Sequence, residues 1–536
     1  MPIQKTEEFG RIEIATIPVP AFVKEMSATY TYSGSVLLHY RTDDDPSTKD
    51  DYNFAVLNDD GSDFRVIFSG VVPQHEKANG IRAMPFADNK RVLLGDYVLE
   101  CSPNIDTCNN AELIPVKYPA ALVNDPRTWK HWSEIIIAPD NEHMAWTTLR
   151  SDGIGAINFL GALQREKDGY VIDKLQVIST LESFKKDDAN PGYIIPQPIR
   201  GGEVKQFVRG GTAISLVGAK EGYVADSVVQ DLLSDEIIQI TRTPGYDETT
   251  IFSPDERLGL VMTSRGSKHT DPAILGWMPR PYAHLVTQGL TMFLYMYAVT
   301  GVRAFRRGNI GPALIHIERS MREPGYRGVL LNDPTEEWVY VSPMSWHPNG
   351  KKAMWMEMVR GSQAQLDGIR LRIRQVILHD YEPGPVVPVR RTPDDVPYAL
   401  KELKAVLNPQ TLSNSIHEGK IAGKHAGYIT VRFGEQNSVF SGERSLIYHH
   451  FSDDGETFFD GFEKVSFSFA SGCCYEADVK MRGRKEGEMK LRIALSGGTF
   501  ENPPRLLFDL DTDGRPQSDG YVKYNGSILR VDELVP

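Results

Sequence analysis

Charged and hydroxyl side chains recur at one spacing in this sequence, five or six residues before short segments rich in Pro, Asp, Asn and Gly. If they meet, carboxylates and cations share a poorly solvated space, where pKa values shift and proton transfer becomes feasible. The spacing therefore predicts a site for acid–base chemistry. The catalytic candidates are Glu134, Glu248, Asp247 and His131. The candidates for holding an anion or another ligand are Arg82, Lys205, Ser133 and Ser342.

The same residues also permit a structural interpretation, in which polar groups around a wet channel pair with one another. His131 precedes Glu134 by three positions, a spacing that puts two side chains on opposite faces of a strand. His131 is therefore either a general base or a histidine with structural partners at the rim. No Gly-x-Ser-x-Gly sequence surrounds Ser133 or Ser342, so a serine-hydrolase site is not expected.

The elements that must position these residues are β-hairpins. Residues 131–146, 246–261 and 341–355 each have two apolar runs around a turn of Pro, Asp, Asn or Gly, and residues 25–40, 80–94 and 203–218 are looser copies. Asp, Asn and Gly suit such turns because they tolerate left-handed backbone or cap it with a side-chain hydrogen bond. Six hairpins predict six four-stranded units whose first strands carry the charged residues toward a common axis.

Three of the turns have closely related sequences. They are Ala138-Pro139-Asp140-Asn141, Ser253-Pro254-Asp255-Glu256 and His347-Pro348-Asn349-Gly350. In these turns, residues 20–385 resemble the TolB-like, WD-repeat-like β-propellers, whose blades carry a Ser-Pro-Asp-Gly turn between their first two strands. The resemblance implies an all-β ring of six blades, or seven, around an axial channel. The alternative is a sandwich or several small β domains.

Composition divides the chain into three parts. We expect a propeller over residues 1–385, a proline-rich linker with a short helix over 386–415, and an antiparallel β-sandwich or barrel over 416–536. Lys and Arg number 59 against 71 Asp and Glu, a net charge of −12, which disfavours sequence-independent binding to nucleic acid.

An apolar insertion interrupts the ring at residues 268–325. Residues 285–302 carry no formal charge, and these 18 residues reach the lower limit for a transmembrane helix. A single crossing would leave parts of one ring on opposite sides of a bilayer, so no span is expected. The segment is either a helix packed into the fold, or a lid or membrane-surface helix at 281–303 over the channel mouth. As a lid, it would present Tyr295 and Phe293 as an adaptable apolar wall for a ligand.

A calcium loop is a second candidate site. Asp509, Asp511 and Asp513, followed by Gly514, match the start of an Asp-x-Asp-x-Asp-Gly loop, but the twelfth position is Gly520 rather than Glu. The alternative is a solvated acidic turn. No organic cofactor is expected, since neither a dinucleotide fingerprint nor a phosphate loop occurs in strand-to-helix context.

The cysteines bear on the compartment. Cys101 and Cys108 bracket a turn-rich segment that can bring them within reach of a disulfide. A disulfide predicts a periplasmic or secreted protein, and four reduced thiols predict a cytoplasmic one.

Two functional hypotheses follow. In the first, the protein is a lyase, isomerase or hydrolase acting on a small, largely apolar or amphiphilic molecule in the channel. In the second, which the resemblance to TolB-like proteins implies, it is a non-catalytic propeller that binds a protein or ligand. An exposed insertion would favour the second hypothesis, and an insertion that roofs the channel would favour the first.

Overall fold

A computed structural model describes most of the chain. The described residues are 3–43, 50–151, 155–181, 184–218, 225–265, 273–287, 290–297, 310–323, 325–333, 336–361, 370–407, 417–434, 441–499 and 502–534.

Six four-stranded units form the first part of the chain. Strands β1 (Gln4–Thr6) and β2 (Gly10–Ile17) precede them. Blade 1 contains β3 (Lys24–Tyr30), β4 (Val36–Arg41), β5 (Asp51–Leu57) and β6 (Arg65–Val71). Blade 2 contains β7 (Ala83–Pro85), β8 (Arg91–Leu94), β9 (Tyr97–Ser102) and β10 (Asn110–Lys117). Helix α1 (Ala120–Val123) leads to blade 3, with β11 (Thr128–Ile137), β12 (His143–Arg150), β13 (Ala156–Glu166) and β14 (Gly169–Val177).

The remaining blades follow a short hairpin, β15 (Phe184–Lys186) and β16 (Ile194–Pro196). Blade 4 contains β17 (Glu203–Val208), β18 (Ala213–Gly218), β19 (Asp226–Asp231) and β20 (Ile237–Gln239), with a 3-10 turn at Arg209–Gly211. Before the insertion, blade 5 has β21 (Asp247–Phe252) and β22 (Leu258–Thr263). The described helices of the insertion are α2 (Ala273–Gly276), α3 (His284–Thr287) and α4 (Thr291–Tyr295). Blade 5 ends with β23 (Gly311–His316), α5 (Ile317–Arg322) and β24 (Val329–Leu330), and blade 6 has β25 (Trp338–Trp346), β26 (Lys352–Val359) and β27 (Leu371–Leu378).

The N-terminal strands close the ring. β2 pairs antiparallel with β27, and β1 pairs with β2, so blade 6 contains strands from both ends of the propeller. The outer strands of blades 2 and 3 also join, because β10 runs parallel to β14. The predicted propeller is therefore confirmed, and it has six blades.

Five of the six innermost strands share an irregularity. Their pairing with the second strand shifts register between Lys24 and Ser27, Lys130 and Glu134, Val204 and Gln206, Asp247 and Thr250, and Val341 and Met344. Such bulges re-aim side chains and are frequent beside functional sites. In blades 3 to 6, the residues singled out by their spacing lie within or beside these shifts.

The C-terminal part is one antiparallel sheet whose strand order follows the chain. It contains β28 (Glu418–Ala422), β29 (Ala426–Phe433), β30 (Ser441–Ser452), β31 (Thr457–Ser468), β32 (Gly472–Gly483), β33 (Gly487–Leu495), β34 (Asp519–Tyr524) and β35 (Ser527–Arg530), and ends in a 3-10 turn at Val531–Leu534. Alternate residues of β32, such as Tyr475, Val479 and Met481, are buried. This pattern is typical of a barrel-like sheet with one face around a core.

The insertion supplies part of that core. Met278, Val286 and Phe293 are buried in one cluster with the inward face of the C-terminal sheet. Gly487 permits the close approach, since a Cβ there would lie 2.5 Å from the sulfur of Met278. The described part of 281–303 is thus largely buried, which favours the helix packed into the fold over a lid or membrane-surface helix for those residues; 288, 289 and 298–303 lie outside the described residues. None of the helices in the described ranges combines the length and the apolar character that a bilayer crossing needs.

The proline-rich segment is held against the ring. We call residues 381–400 the strap. The Tyr381 hydroxyl and the Gly384 N–H donate to Asp255, and the Thr392 N–H donates to Asp140, so the strap binds the aspartates of two blade turns. Its end pairs with Val177 of blade 3 through Leu400, before helix α6 (Lys404–Leu407). The strap is therefore fixed to the ring at several points.

Candidate functional site

Glu134 brings three blades together at the ring axis. Its Oε1 accepts hydrogen bonds from Arg82 Nη2 of blade 2, at 3.1 Å, and from Lys205 Nζ of blade 4, at 3.3 Å. These three residues were predicted to meet because they precede equivalent turns. The side chain of Lys205 is only 6% exposed, so the ammonium is held away from bulk solvent.

Lys205 also contacts two further carboxylates. Its Nζ lies 3.0 Å from Glu203 Oε2 and 3.5 Å from Glu248 Oε1 of blade 5. Ser133 joins this cluster because its hydroxyl donates to Glu203 at 3.2 Å, and the Tyr246 hydroxyl donates to Glu248 at 3.0 Å. Two cations and three carboxyl groups from blades 2 to 5 thus form one network, which we call the axial cluster.

The pKa values of two carboxyl groups in the axial cluster are shifted in opposite directions. Burial raises the pKa of Glu248, and Lys205 offsets this only in part because Glu203 and Glu134 raise it further. Burial also acts on Glu203, but there Lys205 and Arg82 prevail and the pKa is lowered. Groups whose pKa values move apart in this way are typical of sites that give and accept protons.

The cations of the axial cluster remain charged. Burial lowers the pKa of Lys205, but the three neighbouring carboxylates outweigh it, so the pKa lies well above its ordinary value. Glu134 is the main cause of the raised pKa of Arg82, against the effect of burial. Lys205 is therefore not a proton acceptor at neutral pH.

A cavity of about 280 Å³ adjoins the axial cluster. Its polar wall includes His39, Arg82, Glu134, Lys205, Thr249 and Ser342. Its apolar wall includes Ile81, Met84, Ile251, Tyr340 and Met344. Ser342 lies at the predicted place, but its hydroxyl has a single long contact, 3.5 Å to Tyr340. The volume and mixed lining suit one small amphiphilic molecule.

Two catalytic candidates are directed elsewhere. The 0% exposed Asp247 is paired with Arg265 at 2.6 Å. Its carboxylate is directed to Arg265 and does not line the cavity. The Nε2 of His131 lies 2.7 Å from Asp96, and its ring packs against His75 and Tyr118 between blades 2 and 3. The contacts of both residues are structural.

The two aromatic residues of the insertion differ in position. Phe293 lies in the core of the C-terminal sheet, with its ring 5.2 Å from that of Phe469, so its assignment to a channel wall is wrong. Tyr295 instead lies near enough to the axial cluster to contribute to the raised pKa values of Arg82, after Glu134, and of Tyr246, after burial and Glu248. In the described part of the insertion, Tyr295 therefore lies near the axial cluster, while most of the apolar side chains are buried.

The predicted calcium loop has other contacts. Asp511 accepts from the backbone N–H groups of Asp513 and Arg515 and from the Arg492 guanidinium at 2.7 Å. Within the described ranges, no three His, Cys, Asp or Glu side chains converge as metal ligands. Asp509, Asp511 and Asp513 thus form an acidic turn that Arg492 helps to neutralise.

A larger cavity, about 590 Å³, lies on the C-terminal sheet beside Cys474, Arg492 and Asp511. Burial raises the pKa of Cys474, and Arg492 only partly opposes this. The thiol is therefore protonated at neutral pH and is a poor nucleophile. The axial cavity is the better candidate because it adjoins carboxyl groups with separated pKa values.

Three residues of the axial region have no counterpart in the sequence prediction. Glu203 lies two positions before Lys205, Tyr246 precedes β21, and His39 belongs to the second strand of blade 1. All three lie close to a register shift in the innermost strand of a blade. The spacing of the turns does not reveal where these shifts occur.

Neither protein-family models nor curated proteins match the chain. Similar solved structures include the putative TolB from Agrobacterium tumefaciens, at 12% identity over 58% of this chain and 80% of that chain, with a TM-score of 0.31. The propeller domain of the trilobed protease from Pyrococcus furiosus has 8% identity over 79% of this chain and 95% of that chain, with a TM-score of 0.28. Prolyl oligopeptidase B from Galerina marginata has 7% identity over 81% of this chain and 46% of that chain, with a TM-score of 0.29. These neighbours include TolB, the family that the turn sequences resemble, while the strand pairing itself establishes the propeller.

Proposed function

We propose that the protein is an enzyme that binds a small amphiphilic molecule in the axial cavity and exchanges a proton with it through Glu134. The observation that carries this proposal is the position of Glu134, which lines the cavity while Arg82 and Lys205 both bind its Oε1. A carboxylate so held is positioned as a general base, and the adjoining cations stabilise negative charge that develops on the ligand.

Glu248 influences the cavity indirectly, through Lys205. It contacts Lys205 and not the cavity wall, and its raised pKa favours the protonated form. We assign it the role of adjusting the charge around Lys205, so its replacement should reduce turnover less than replacement of Glu134. The reaction class is a lyase, isomerase or hydrolase reaction that needs no organic cofactor.

The test compares the full-length protein with Glu134→Gln after incubation with a metabolite extract, followed by mass spectrometry. We expect the wild type to deplete at least one compound and Glu134→Gln to deplete it at least about a hundredfold more slowly, as for loss of a general base. Glu486→Gln, which changes an exposed glutamate between two strands of the C-terminal sheet, is the control and should match the wild type. Equal depletion by the wild type and Glu134→Gln would refute the catalytic role of Glu134.

A second candidate is a propeller that binds the same ligand without turnover. It is favoured by the internal pairing of Arg82 and Lys205 with carboxylates, which a structural network also explains. In the same experiment this candidate predicts that a compound is retained on the protein and that none is consumed. The burial of the described insertion gives no support to a protein partner bound through that segment.

The disulfide supports an oxidising compartment. Cys101 and Cys108 are joined, with their Cα atoms 5.2 Å apart. Because disulfides persist mainly outside the reducing cytosol, we infer a periplasmic or secreted protein. Retention of the Cys101–Cys108 bond in protein isolated with free thiols blocked would agree, and two reduced thiols would contradict it.

A further inference from the structure

Arg82 and Glu134 are bound to each other through one atom of each side chain. Among the residues that the structure describes, the Arg82 guanidinium has one hydrogen-bond partner, Glu134 Oε1, which leaves Nε and Nη1 unpaired. Lys205 binds the same Oε1, so Glu134 Oε2 receives no hydrogen bond from the described part of the chain. None of these unpaired atoms is buried, and the two side chains are 29% and 18% exposed. Since both line the axial cavity, a free guanidinium edge and a free carboxylate oxygen adjoin each other there.

The ammonium of Lys205 has no comparable capacity. It has three N–H donors, and the carboxyl groups of Glu134, Glu203 and Glu248 all lie within 3.5 Å of Nζ. The side chain is only 6% exposed, so a ligand would have to displace a carboxylate in order to bind it. Arg82 is therefore the cation of the axial cluster that an anionic group of a ligand can reach.

The axial cluster is electrically balanced before a ligand binds. The raised pKa of Glu248 favours its protonated form, so two cations face two carboxylates. His39, on the blade 1 wall, adds no charge at pH 7, because burial, followed by Arg82 and Arg41, lowers its pKa to about 4. A ligand with a net charge would bring an uncompensated charge into this poorly solvated site, which is costly. A ligand with one charge of each sign would keep the balance.

The closeness of the two free groups limits how far apart the charges of the ligand can be. Arg82 Nη2 and Glu134 Oε1 are 3.1 Å apart, so the guanidinium and the carboxylate are direct neighbours. In an α-amino acid a single carbon joins the ammonium to the carboxylate, and the nitrogen is about 2.5 Å from the carboxylate carbon. Its carboxylate can therefore bind Arg82 while its ammonium donates to Glu134. A molecule with its charges at opposite ends of an extended chain would reach only one of them.

The rest of the cavity wall suits an apolar side chain. Met84, Ile251 and Met344, from blades 2, 5 and 6, line it together with the ring of Tyr340. The volume of about 280 Å³ limits the ligand to one small molecule.

We propose that the axial cavity binds the zwitterion of a small α-amino acid with an apolar side chain, with the carboxylate on Arg82 and the ammonium on Glu134 Oε2. This inference rests on the proposed function, which makes the axial cavity the ligand site, and it names the class of ligand. A planar guanidinium binds a carboxylate through two parallel hydrogen bonds, so Arg82 is the residue that determines specificity for the carboxylate. Glu134 holds an N–H group of the ligand at its free oxygen, as the proposed proton exchange requires.

The test measures the binding of three probes with the same isobutyl body to the full chain at pH 7. L-leucine carries both charges, 4-methylpentanoate lacks the ammonium, and 3-methylbutylamine lacks the carboxylate. Ligand-detected nuclear magnetic resonance gives their dissociation constants, and we expect L-leucine to bind at least about tenfold more tightly than either single-charge probe. No binding of L-leucine, or binding no tighter than that of a single-charge probe, would overturn the amino acid class.

Two variants assign each charge of the ligand to its partner. Arg82→Lys keeps a cation beside Glu134 but loses the planar fork, so it should weaken L-leucine and 4-methylpentanoate about tenfold and leave 3-methylbutylamine unchanged. Glu134→Gln replaces one carboxylate oxygen by an amide donor, so it should weaken L-leucine and 3-methylbutylamine but not 4-methylpentanoate. Arg484→Lys, at an exposed site of the C-terminal sheet, is the control and should alter none of the three. Equal weakening of all three probes by both variants would overturn the assignment of the charges.

A cavity-filling variant, Ser342→Leu, separates this inference from the proposed function. If a single-charge probe binds most tightly and Ser342→Leu abolishes its binding, the axial cavity remains the ligand site and only the zwitterion class fails. If L-leucine binds but neither Ser342→Leu nor Glu134→Gln weakens it, the ligand lies elsewhere and the proposed function fails as well. Thermal unfolding verifies that each variant is folded, and the contrast between probes within one variant does not depend on its stability.

Discussion

At the scale of single residues, the axial cluster depends on Lys205. Its ammonium is the shared partner of Glu134, Glu203 and Glu248, and all four side chains come from the inner strands of three blades. Buried carboxylates without a counter-ion are costly, so the cluster is balanced only while Lys205 is charged.

Lys205→Met should therefore destabilise the protein strongly. We expect a loss of about 3–5 kcal/mol in the free energy of unfolding at pH 7, because buried carboxylates lose their shared partner. The loss should be smaller at pH 5, because Lys205 lowers the pKa values of Glu203 and Glu248 and its removal lets those carboxyl groups bind protons more readily. Chemical denaturation at both pH values tests this, with Lys464→Met, whose ion pair with Glu476 is exposed, as the control. A loss at pH 7 no larger than that of the control would contradict the role of Lys205.

Part of the axial cluster could be predicted from the sequence, because the turns fix where the inner strands lie. Turn residues mark the phase of the preceding strand, so counting back from them placed Arg82, Glu134, Lys205 and Glu248 near one axis. Counting back five or six positions did not separate Asp247 from the adjacent Glu248. The count is uncertain by one residue, and adjacent residues in a strand point to opposite faces. It also did not identify His39, because His39 lies on the second strand of blade 1, and the counting covered only first strands.

At the scale of elements, the insertion is fixed in the C-terminal sheet by one fully buried ion pair. Arg280 and Glu463 are 3.1 Å apart and both side chains are 0% exposed. The hydroxyl groups of Tyr448 and Tyr475 donate to the same carboxylate, and Arg280 Nη1 donates to the Leu275 carbonyl. Every charge of this pair is thus compensated within the protein.

Arg280→Met should leave Glu463 as a buried, uncompensated charge. We expect a loss of about 3–5 kcal/mol in urea unfolding, and a smaller loss for the double variant Arg280→Met with Glu463→Gln, because the buried charge is then removed. Arg484→Met breaks an exposed pair with Glu456 and should have little effect. A double variant less stable than Arg280→Met would contradict this account.

The strap is a second element, and one of its attachments to the ring is made by a buried histidine. His143 is 1% exposed and lies between Asp140 of the blade 3 turn, at 2.7 Å, and Asp394 of the strap, at 2.9 Å. Burial lowers the pKa of His143, but the two carboxylates outweigh it and the net shift is upward. The charged imidazole therefore joins strap and ring.

The attachment of the strap should weaken as pH rises. Because the folded pKa of His143 exceeds the unfolded value of about 6.5, its stabilisation is complete below that pH and is lost as pH rises through the folded pKa. Hydrogen exchange of amides in 386–398, corrected for intrinsic rates, should show a falling opening free energy from pH 6 to 9. His143→Gln should remove this dependence and His425→Gln should not. An opening free energy independent of pH in the wild type would refute the role of His143.

At the scale of the whole molecule, the propeller and the C-terminal sheet share one core. Residues of blades 5 and 6, the insertion and the sheet belong to a single buried cluster, which includes Leu258, Trp355, Phe293 and Tyr475. The division of the chain at residues 385 and 416 remains a prediction. It was drawn from composition along the sequence, which does not reveal that the parts pack into one core. The pairing of Arg280 with Glu463 joins residues 183 positions apart, and no local pattern encodes such a partner.

Calorimetry should therefore record one unfolding transition. Loss of the C-terminal sheet would expose the insertion and with it the core of blade 5, so neither part is expected to unfold alone. Two separate transitions, one for each predicted domain, would contradict a shared core.

The central claim is that the axial cavity is the ligand site, and a crystal structure of the full chain with the compound retained from a metabolite extract tests it most directly. We predict density for that compound in contact with Glu134, inside the axial cavity. Density beside Cys474 and Arg492 on the C-terminal sheet, with none at the propeller axis, would contradict the account.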